Sequence, residues 1–493
     1  MMKRNHGYIL SFFLFILFLL PHCRQDQPQK GFEYRIISEA ITNTSSPFYM
    51  DTALYPERRD SLPIGIFDSG TGGLSVLNSI LELDEFNNLT HEPGSDGTAD
   101  FTSERFIYLA DEANLPYGKY NAEGKAGFLR ELVLKDVLFL LCTKYYLSPD
   151  DPHPQTDKEP VKSIVIACNT ATAYGLETVR EAMDHWGLEV EITGIIEAGA
   201  KTALENLISK EQDQTVIGVL ATEGTCTSGG YPQTIHKLSA TLLPGKDIRV
   251  VQQAGIGLAG AIDGDINYSD PTATEVREES VYFGPGIDHA EYPIYTALWK
   301  AYHFENGNGL LVRTDHDRDT TVIQLNSVTN YIRYMVTHLV MTVLQEYPDH
   351  TLDAVILGCT HYPYVKTEIK EHFFYLKEFD EKYDRIVPED ITFIDPAKSL
   401  ATGLYEELTD ADLWGENHYS NSRFFISVPN TLLPENRIDE KGEFPYSWKY
   451  GRDVNNSLQY VKYVPFSDEW IDATIQMRMK ENIPKTYEVI YKN

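Results

Sequence analysis

Short apolar runs recur along the chain, each closed by small or polar residues and followed by a helical stretch. Ile64-Gly-Ile-Phe67 leads into Asp68-Ser-Gly-Thr-Gly-Gly73 and then the amphipathic segment Leu74–Leu83. Phe106-Ile-Tyr-Leu-Ala110, Ser163-Ile-Val-Ile-Ala167 and Thr193-Gly-Ile-Ile196 repeat the plan. Runs of this length and apolarity read as strands buried on both faces, and their alternation with helices demands crossover connections and a parallel sheet. The same four phrases then return in the same order. Ile64–Phe67 is echoed by Ile217-Gly-Val-Leu220, and Phe106–Ala110 by Ile248-Arg-Val-Val251. Ile164-Val-Ile-Ala-Cys168-Asn-Thr170 is echoed by Val355-Ile-Leu-Gly-Cys359-Thr360. Ile196-Glu197 with Ala200-Lys-Thr-Ala203 is echoed by Ile394-Asp395 with Ala397-Lys-Ser399. Four echoes in register predict a duplicated α/β unit.

Other segments interrupt this plan. Residues 87–103 and 147–159 are polar loops. Residues 267–330 form a long insertion with a turn signal at Asn306-Gly-Asn-Gly309 and an acidic cluster at Asp315-His-Asp-Arg-Asp319. The cluster reads as a solvated acidic loop before a cation site. After Leu408 comes a stretch rich in Tyr, Trp and Pro, an elaboration expected to pack on the core, with a helix over 467–482 capped by Ser467. Residues 24–61 read as a tether.

The N-terminus carries Lys3 and Arg4, an apolar run from Tyr8 to Leu20, then Pro21-His22-Cys23. The run is short for a membrane span, which needs ~20 apolar residues, and suits an export signal. Cys23 stands where a bacterial lipoprotein leader places its lipidated cysteine. The expectation is a leader over 1–23 and a cell-envelope location, periplasmic or lipid-anchored. Initiation at Met50 would instead give a cytoplasmic protein.

Composition narrows the function. At 42% hydrophobic and 23% charged residues, the 493-residue chain has ample material for a core. Its net charge of −31 repels a phosphate backbone and argues against nucleic acid as a partner. The five cysteines are too few for a disulfide scaffold and form no CxxC pair. Two of them, Cys168 and Cys359, occupy the same place in the two halves, ending a strand before a helix. There the helix dipole favours thiolate, and ligands of open α/β sheets bind at that edge. Cys226 and Cys142 read as packing residues.

Matched acid/base groups on opposite sides of one site suit the inversion of a stereocentre. One group removes a proton from one face and the other delivers a proton to the opposite face. No local signal for a pyridoxal lysine, a metal site or a nucleotide loop competes, so no cofactor is expected. The glycines of Asp68–Gly73 match neither a P-loop nor a dinucleotide fingerprint. Their free N–H groups near a helix start suit a substrate carboxylate.

The phrases Ile64-Gly-Ile-Phe-Asp-Ser-Gly-Thr-Gly-Gly-Leu74, Leu115-Pro-Tyr-Gly118, Ala167-Cys-Asn-Thr-Ala171, Thr222-Glu-Gly-Thr225 with Ser228 and Tyr231, and Leu357-Gly-Cys-Thr-His-Tyr-Pro363 resemble the aspartate/glutamate racemase family. His361-Tyr-Pro363 favours its glutamate branch. The resemblance covers roughly 63–263 and 330–408. It implies two pseudo-symmetric α/β domains, 61–192 with 383–493 and 193–382, with the active site in the interdomain cleft. It implies a cofactor-independent racemase, normally a supplier of D-glutamate for peptidoglycan inside the cell. Carried over by motif position, Cys168 and Cys359 exchange the proton and Asp68 supports the nearby thiol. Ser69 lines the site, and Tyr117 and Gly118 shape the pocket. Asn169, Thr170, Thr225 and Thr360 hold carboxylates, and His361 assists Cys359. One departure concerns 253–263, where Gly255 and Ile256 replace a Cys-Pro pair and Asp263 stands where the family has Glu.

The alternatives are a catalytically weak envelope amino-acid-binding protein on the same fold, and a racemase or isomerase of another amino diacid such as aspartate. The partner expected is a small amino acid. Membrane attachment would come through the lipid on Cys23. The sequence sets no oligomeric state, and a homodimer is compatible with it.

Overall fold

The computed structural model describes residues 33–210, 214–315, 320–471 and 473–491. The leader with Cys23 and residues 316–319 of the acidic cluster lie outside the described residues. Among the described residues no helix is long and apolar enough to cross a membrane.

Four strands, β1 (Ile64–Asp68), β2 (Phe106–Ala110), β3 (Ser163–Ile166) and β4 (Glu191–Gly194), form a parallel array in the order β2-β1-β3-β4. Apart from Glu191 at the start of β4, every residue in them is buried, as strands covered by helices on both faces must be. A second array contains β5 (Gln214–Ala221), β6 (Asp247–Ala254), β9 (Thr351–Gly358) and β10 (Thr392–Ile394), in the order β6-β5-β9-β10 and again all parallel. Taken in chain order, the strands of each half are arranged second, first, third, fourth. The four echoed phrases map onto these equivalent strands, and the architecture is α/β with largely parallel sheets flanked by helices. The fourth phrase is displaced: β4 ends at Gly194, and Ile195 and Ile196 open a helix.

Between β6 and β9 the insertion folds against the second half. Its antiparallel pair β7 (Leu310–Asp315) and β8 (Thr320–Leu325) packs Leu310, Ile323 and Leu325 into the core beside Tyr302, Tyr331 and Met335.

Three segments depart from expectation. The stretch taken as a tether holds a helix, Arg35–Thr42. Ile36, Ile37 and Ala40 share one face of it and are buried in the first half with Tyr34, Phe48 and Met50. Trp186 Nε1 donates to Ile37 O at 2.8 Å. The stretch after Leu408 is more than an elaboration, because it supplies two strands of the first sheet. β11 (Arg423–Pro429) pairs parallel to β2, and β12 (Val461–Pro465) pairs antiparallel to β11. The chain returns to the first sheet only after Ile394, later than the boundary at 383, because β10 pairs with β9. Finally, Ser467 does not cap a helix. Its carbonyl accepts from Trp470 N in a turn. Helices follow at Ala473–Asn482 and Pro484–Tyr491.

A buried ion pair fixes the segment before β11. Lys162 Nζ lies 2.7 Å from Glu104 Oε2, both side chains being almost fully buried. Gly415 N donates to the other Glu104 oxygen at 2.7 Å, and Lys162 donates to Leu413 O at 2.6 Å.

Candidate active site

Strand register assembles the site. Phe67 pairs with Ile166 and Asp68 with Ala110, so Cys168, two residues beyond Ile166, comes to the sheet edge beside Asp68. Across the cleft Ala221 pairs with both Gly358 and Ala254, which sets Cys359 beside Thr222. These carboxyl edges face one cavity of about 650 Å³. It is lined by Cys168, Cys359, Asp68, Ser69, Tyr117, Gly118, Asn169, Thr170, Thr225, Asp263, Thr360 and His361, which are all the candidate site residues. The halves meet closely at glycines. A Cβ on Gly224 would lie 3.0 Å from Gly118 Cα, and one on Gly72 would lie 3.2 Å from Thr360 Oγ1.

On the first side, Cys168 is the N-cap of the helix Asn169–Trp186, its sulfur accepting from Ala171 N at 3.4 Å. Ser69 Oγ is 3.5 Å from the sulfur. The helix terminus is in place, yet the thiol is not made acidic. Burial, with the nearby Asp68 carboxylate adding to it, pushes Cys168 up to about 12. Desolvation disfavours the anion more than the terminal N–H groups favour it. Burial also raises Asp68 above the ordinary carboxylate range, against the N–H groups of Gly73, Gly70 and Ser69, which hold its anionic form.

The glycine turn also holds a carboxylate of the protein itself. Gly73 N and Gly70 N donate to Asp68 Oδ2 at 2.9 and 3.3 Å. Leu74, Ser75 and Val76 N–H groups close turns onto the carbonyls of Thr71, Gly72 and Gly73. The turn therefore grips the Asp68 carboxylate, and these donors are already taken before any substrate carboxylate arrives.

On the second side, Cys359 is followed by a short 3-10 turn, Tyr362–Val365, and only then by the helix Lys366–Phe379. Its sulfur lies 3.5 Å from His361 Nδ1. The opposite ring nitrogen, Nε2, lies 3.1 Å from Asp263 Oδ2. Burial pulls the His361 imidazole down, but hydrogen bonds to Asp263 and Cys359 outweigh it and carry it up to about 10. The direction of this shift favours the protonated imidazole. The aspartate, one methylene shorter than the family's Glu, still reaches the histidine.

The groups expected to hold carboxylates line the same cavity. Asn169 Oδ1 accepts from Tyr231 OH at 3.0 Å, which orients its amide N–H donors. The Thr225 hydroxyl lies 3.0 Å from that of Thr222. Tyr117 lines the wall, but its hydroxyl lies against the buried carboxylates of Asp111 and Asp136, neither of which lines the cavity. Cys226 does not line the cavity. It packs against the second half, and burial pushes it up to about 12. Cys142 ends an apolar helix, pushed up to about 11 by burial. The four described cysteines are free thiols.

Two further residues escaped sequence reasoning. Glu112 lines the cleft, and burial, with Asp68 and Asp111 close by, raises it to about 7. Its place next to Asp111, just before Leu115-Pro-Tyr-Gly118, was the available signal. Arg478, on the helix Ala473–Asn482, also lines the cleft, 3.4 Å from Asp263 Oδ1. No local pattern marks it.

No family model matches the chain. A glutamate racemase of Limosilactobacillus fermentum is 30% identical over 246 residues, which are 50% of this chain and 69% of that protein. A glutamate racemase of Cupriavidus pinatubonensis is 26% identical over 352 residues, 71% of this chain and 80% of that protein. Among solved structures, the glutamate racemase isoform RacE1 from Bacillus anthracis aligns with a TM-score of 0.43 and 22% identity, over 75% of this chain and 89% of that one. Glutamate racemase from Francisella tularensis, solved with D-glutamate, aligns with a TM-score of 0.38 and 18% identity, over 80% of this chain and 95% of that one.

Proposed function

The chain belongs to the aspartate/glutamate racemase family, on its glutamate racemase branch of isomerases, and from that premise we propose that it interconverts L- and D-glutamate by a two-thiol proton transfer. The observation that carries the reading is the pair of cysteines on opposite walls of one cleft with unlike partners. Cys168 lies beside a carboxyl group and is held neutral by burial. Cys359 lies beside a protonated imidazole, a counter-charge for a thiolate. One sulfur is therefore set to give a proton and the other to take one.

In one direction the Cys359 thiolate takes the α-proton, and the electron pair of the broken C–H bond passes into the α-carboxylate as an enolate-like carbanion. The Cys168 thiol then delivers its proton to the opposite face. The product is the other enantiomer, and the two sulfurs have exchanged protonation states, which the reverse reaction restores. Asn169, Thr170, Thr225 and Thr360 hold the carboxylates, and Asp68 faces the ammonium. Asp263 at 3.1 Å from His361 leaves that side complete, which argues against a binding-only role.

The test is incubation of the reduced protein with L-glutamate in D2O, following optical rotation and α-deuterium, with L-aspartate in parallel. Racemisation and deuterium incorporation with glutamate are expected. Activity on aspartate alone would reassign the substrate, and no exchange on either would refute the enzyme reading. Cys168→Ala or Cys359→Ala should each abolish racemisation, since each sulfur serves one face. By the same reading the enzyme works in the cell envelope, which the basic and apolar leader ending at Cys23 supports. Mass spectrometry of the mature N-terminus decides between a lipidated Cys23, a cleaved leader and an intact one.

A further inference from the structure

The cleft has a wall that comes from outside the duplicated units. The helix Ala473–Asn482 presents Ile475, Arg478, Met479 and Asn482 to the cavity. It is fastened to the first half. Met479, Ile483 and Val489 are buried with Leu74 and Leu77, and Thr486 N–H and hydroxyl donate to Asn78 Oδ1 and Leu74 O at 3.3 Å each. Arg478 reaches from this anchored helix to the second half. Its Nη1 lies 3.4 Å from Asp263 Oδ1, while Asp263 Oδ2 lies 3.1 Å from His361 Nε2, and His361 Nδ1 lies 3.5 Å from Cys359 Sγ. Gly264, next to Asp263 at φ +70, leaves room for the guanidinium: even a Cβ there would lie 3.7 Å from Nη2. The result is a continuous chain of polar contacts from the helix Ala473–Asn482 to a sulfur.

We propose that Arg478 is a positioning residue for proton transfer at Cys359, acting through Asp263 and His361. The inference rests on the racemase reading. A carboxylate has two oxygens, and an aspartate one methylene shorter than a glutamate has less reach toward the imidazole. An arginine on the far oxygen fixes the rotation of the carboxyl group so that the near oxygen meets Nε2. Charge-assisted contacts of this kind set geometry as well as energy. Because Arg478 is held by the first half and Asp263 by the second, the contact also requires the cleft to be closed at this edge.

The test is a double-mutant cycle on the full chain with L-glutamate. Arg478→Gln should lower kcat about tenfold with KM within about twofold, the scale of one charge-assisted contact. In an Asp263→Asn background the same substitution should change kcat less than about twofold, and Arg478→Lys should recover part of the loss. A kcat unchanged by Arg478→Gln, or an equal loss in both backgrounds, would overturn the proposal. So would a raised KM at constant kcat, which would make Arg478 a substrate-carboxylate ligand. A readout independent of turnover is the His361 ring titration followed by NMR. In Arg478→Gln an Asp263 carboxyl group no longer fixed in rotation should hold the imidazolium less well, so the titration should move downward, and an unmoved or raised titration would overturn the proposal. Absence of racemisation in the wild-type protein would instead count against the glutamate reading, and the NMR arm would still decide the role of Arg478.

Discussion

Gly73→Ala tests whether the turn after β1 exists to place Asp68. Gly73 has φ −65, so alanine is compatible with its backbone and any effect comes from space alone. A Cβ there would stand 2.5 Å from Asp68 Cβ, 3.0 Å from Asp68 Cγ and 3.0 Å from Tyr108 OH. Carbon atoms in contact prefer about 3.5–4.0 Å, so Asp68 must retreat by about 1 Å. It has little freedom to do so. The residue is buried, its carboxylate is gripped by Gly73 and Gly70 N–H groups, and Tyr108 OH donates to Gly70 O at 2.9 Å. Overpacking of this kind costs about 1–3 kcal/mol of stability. A displacement of about 1 Å in a positioned group costs roughly a hundredfold in rate. The expected outcome is a folded protein with a lowered urea midpoint and kcat/KM about a hundredfold down, measured by circular dichroism of L-glutamate racemisation. Gly403→Ala is the internal control. Gly403 lies inside the helix Pro396–Asp410, and a Cβ there would have nothing within 4 Å. Alanine should therefore stabilise by about 0.5–1 kcal/mol and leave the rate alone. Gly73→Ala with wild-type rate and stability would refute the reasoning.

Three further outcomes follow from the packing and the charges. A chain begun at Met50 loses the burial of Tyr34, Ile36, Ile37 and Phe48, a gross apolar term of about 1.5–3 kcal/mol per side chain; its urea midpoint should fall well below that of a chain begun at Glu33, and equal midpoints would contradict the packing of the N-terminal helix. Lys162→Met strands Glu104 in the interior, so unfolding by urea should show a loss of about 3–5 kcal/mol, most of it recovered in Lys162→Met/Glu104→Leu. For His361 the folded-state value is raised to about 10 from an ordinary 6.5, so the stability its proton contributes is complete below 6.5 and lost as pH rises through 10. The stability difference between wild type and His361→Gln should shrink across that window, and a difference constant with pH would refute the ion pair.

Local pattern made the duplicated core legible because parallel strands carry their burial and their functional residues together. Asp68, Cys168 and Cys359 each lie at or within two residues of a strand end, so sheet register alone brings them to one edge. Segments whose partners are distant in sequence were opaque. β11 reads Arg423-Phe-Phe-Ile-Ser-Val-Pro429, an apolar run like the others, but nothing local says that its neighbour is β2, more than three hundred residues earlier. The helix Arg35–Thr42 had the spacing of an amphipathic helix, yet its value depends on Trp186 and the first core.

Arg478 is the extreme case, since its meaning lies wholly in Asp263. The thiols show a different limit. Sequence placed Cys168 at a helix start correctly, and the dipole rule then gave the wrong protonation state. The rule counts the N–H groups and omits the solvent that folding removes and the carboxylate that folding brings near. Restoring those effects gives the two sulfurs opposite surroundings, a carboxyl group at one and an imidazolium at the other. Symmetric thiols would have to break their symmetry before each turnover. Here the surroundings of the two sulfurs already differ before substrate arrives, so the two directions of the proposed reaction start from unlike forms of the site.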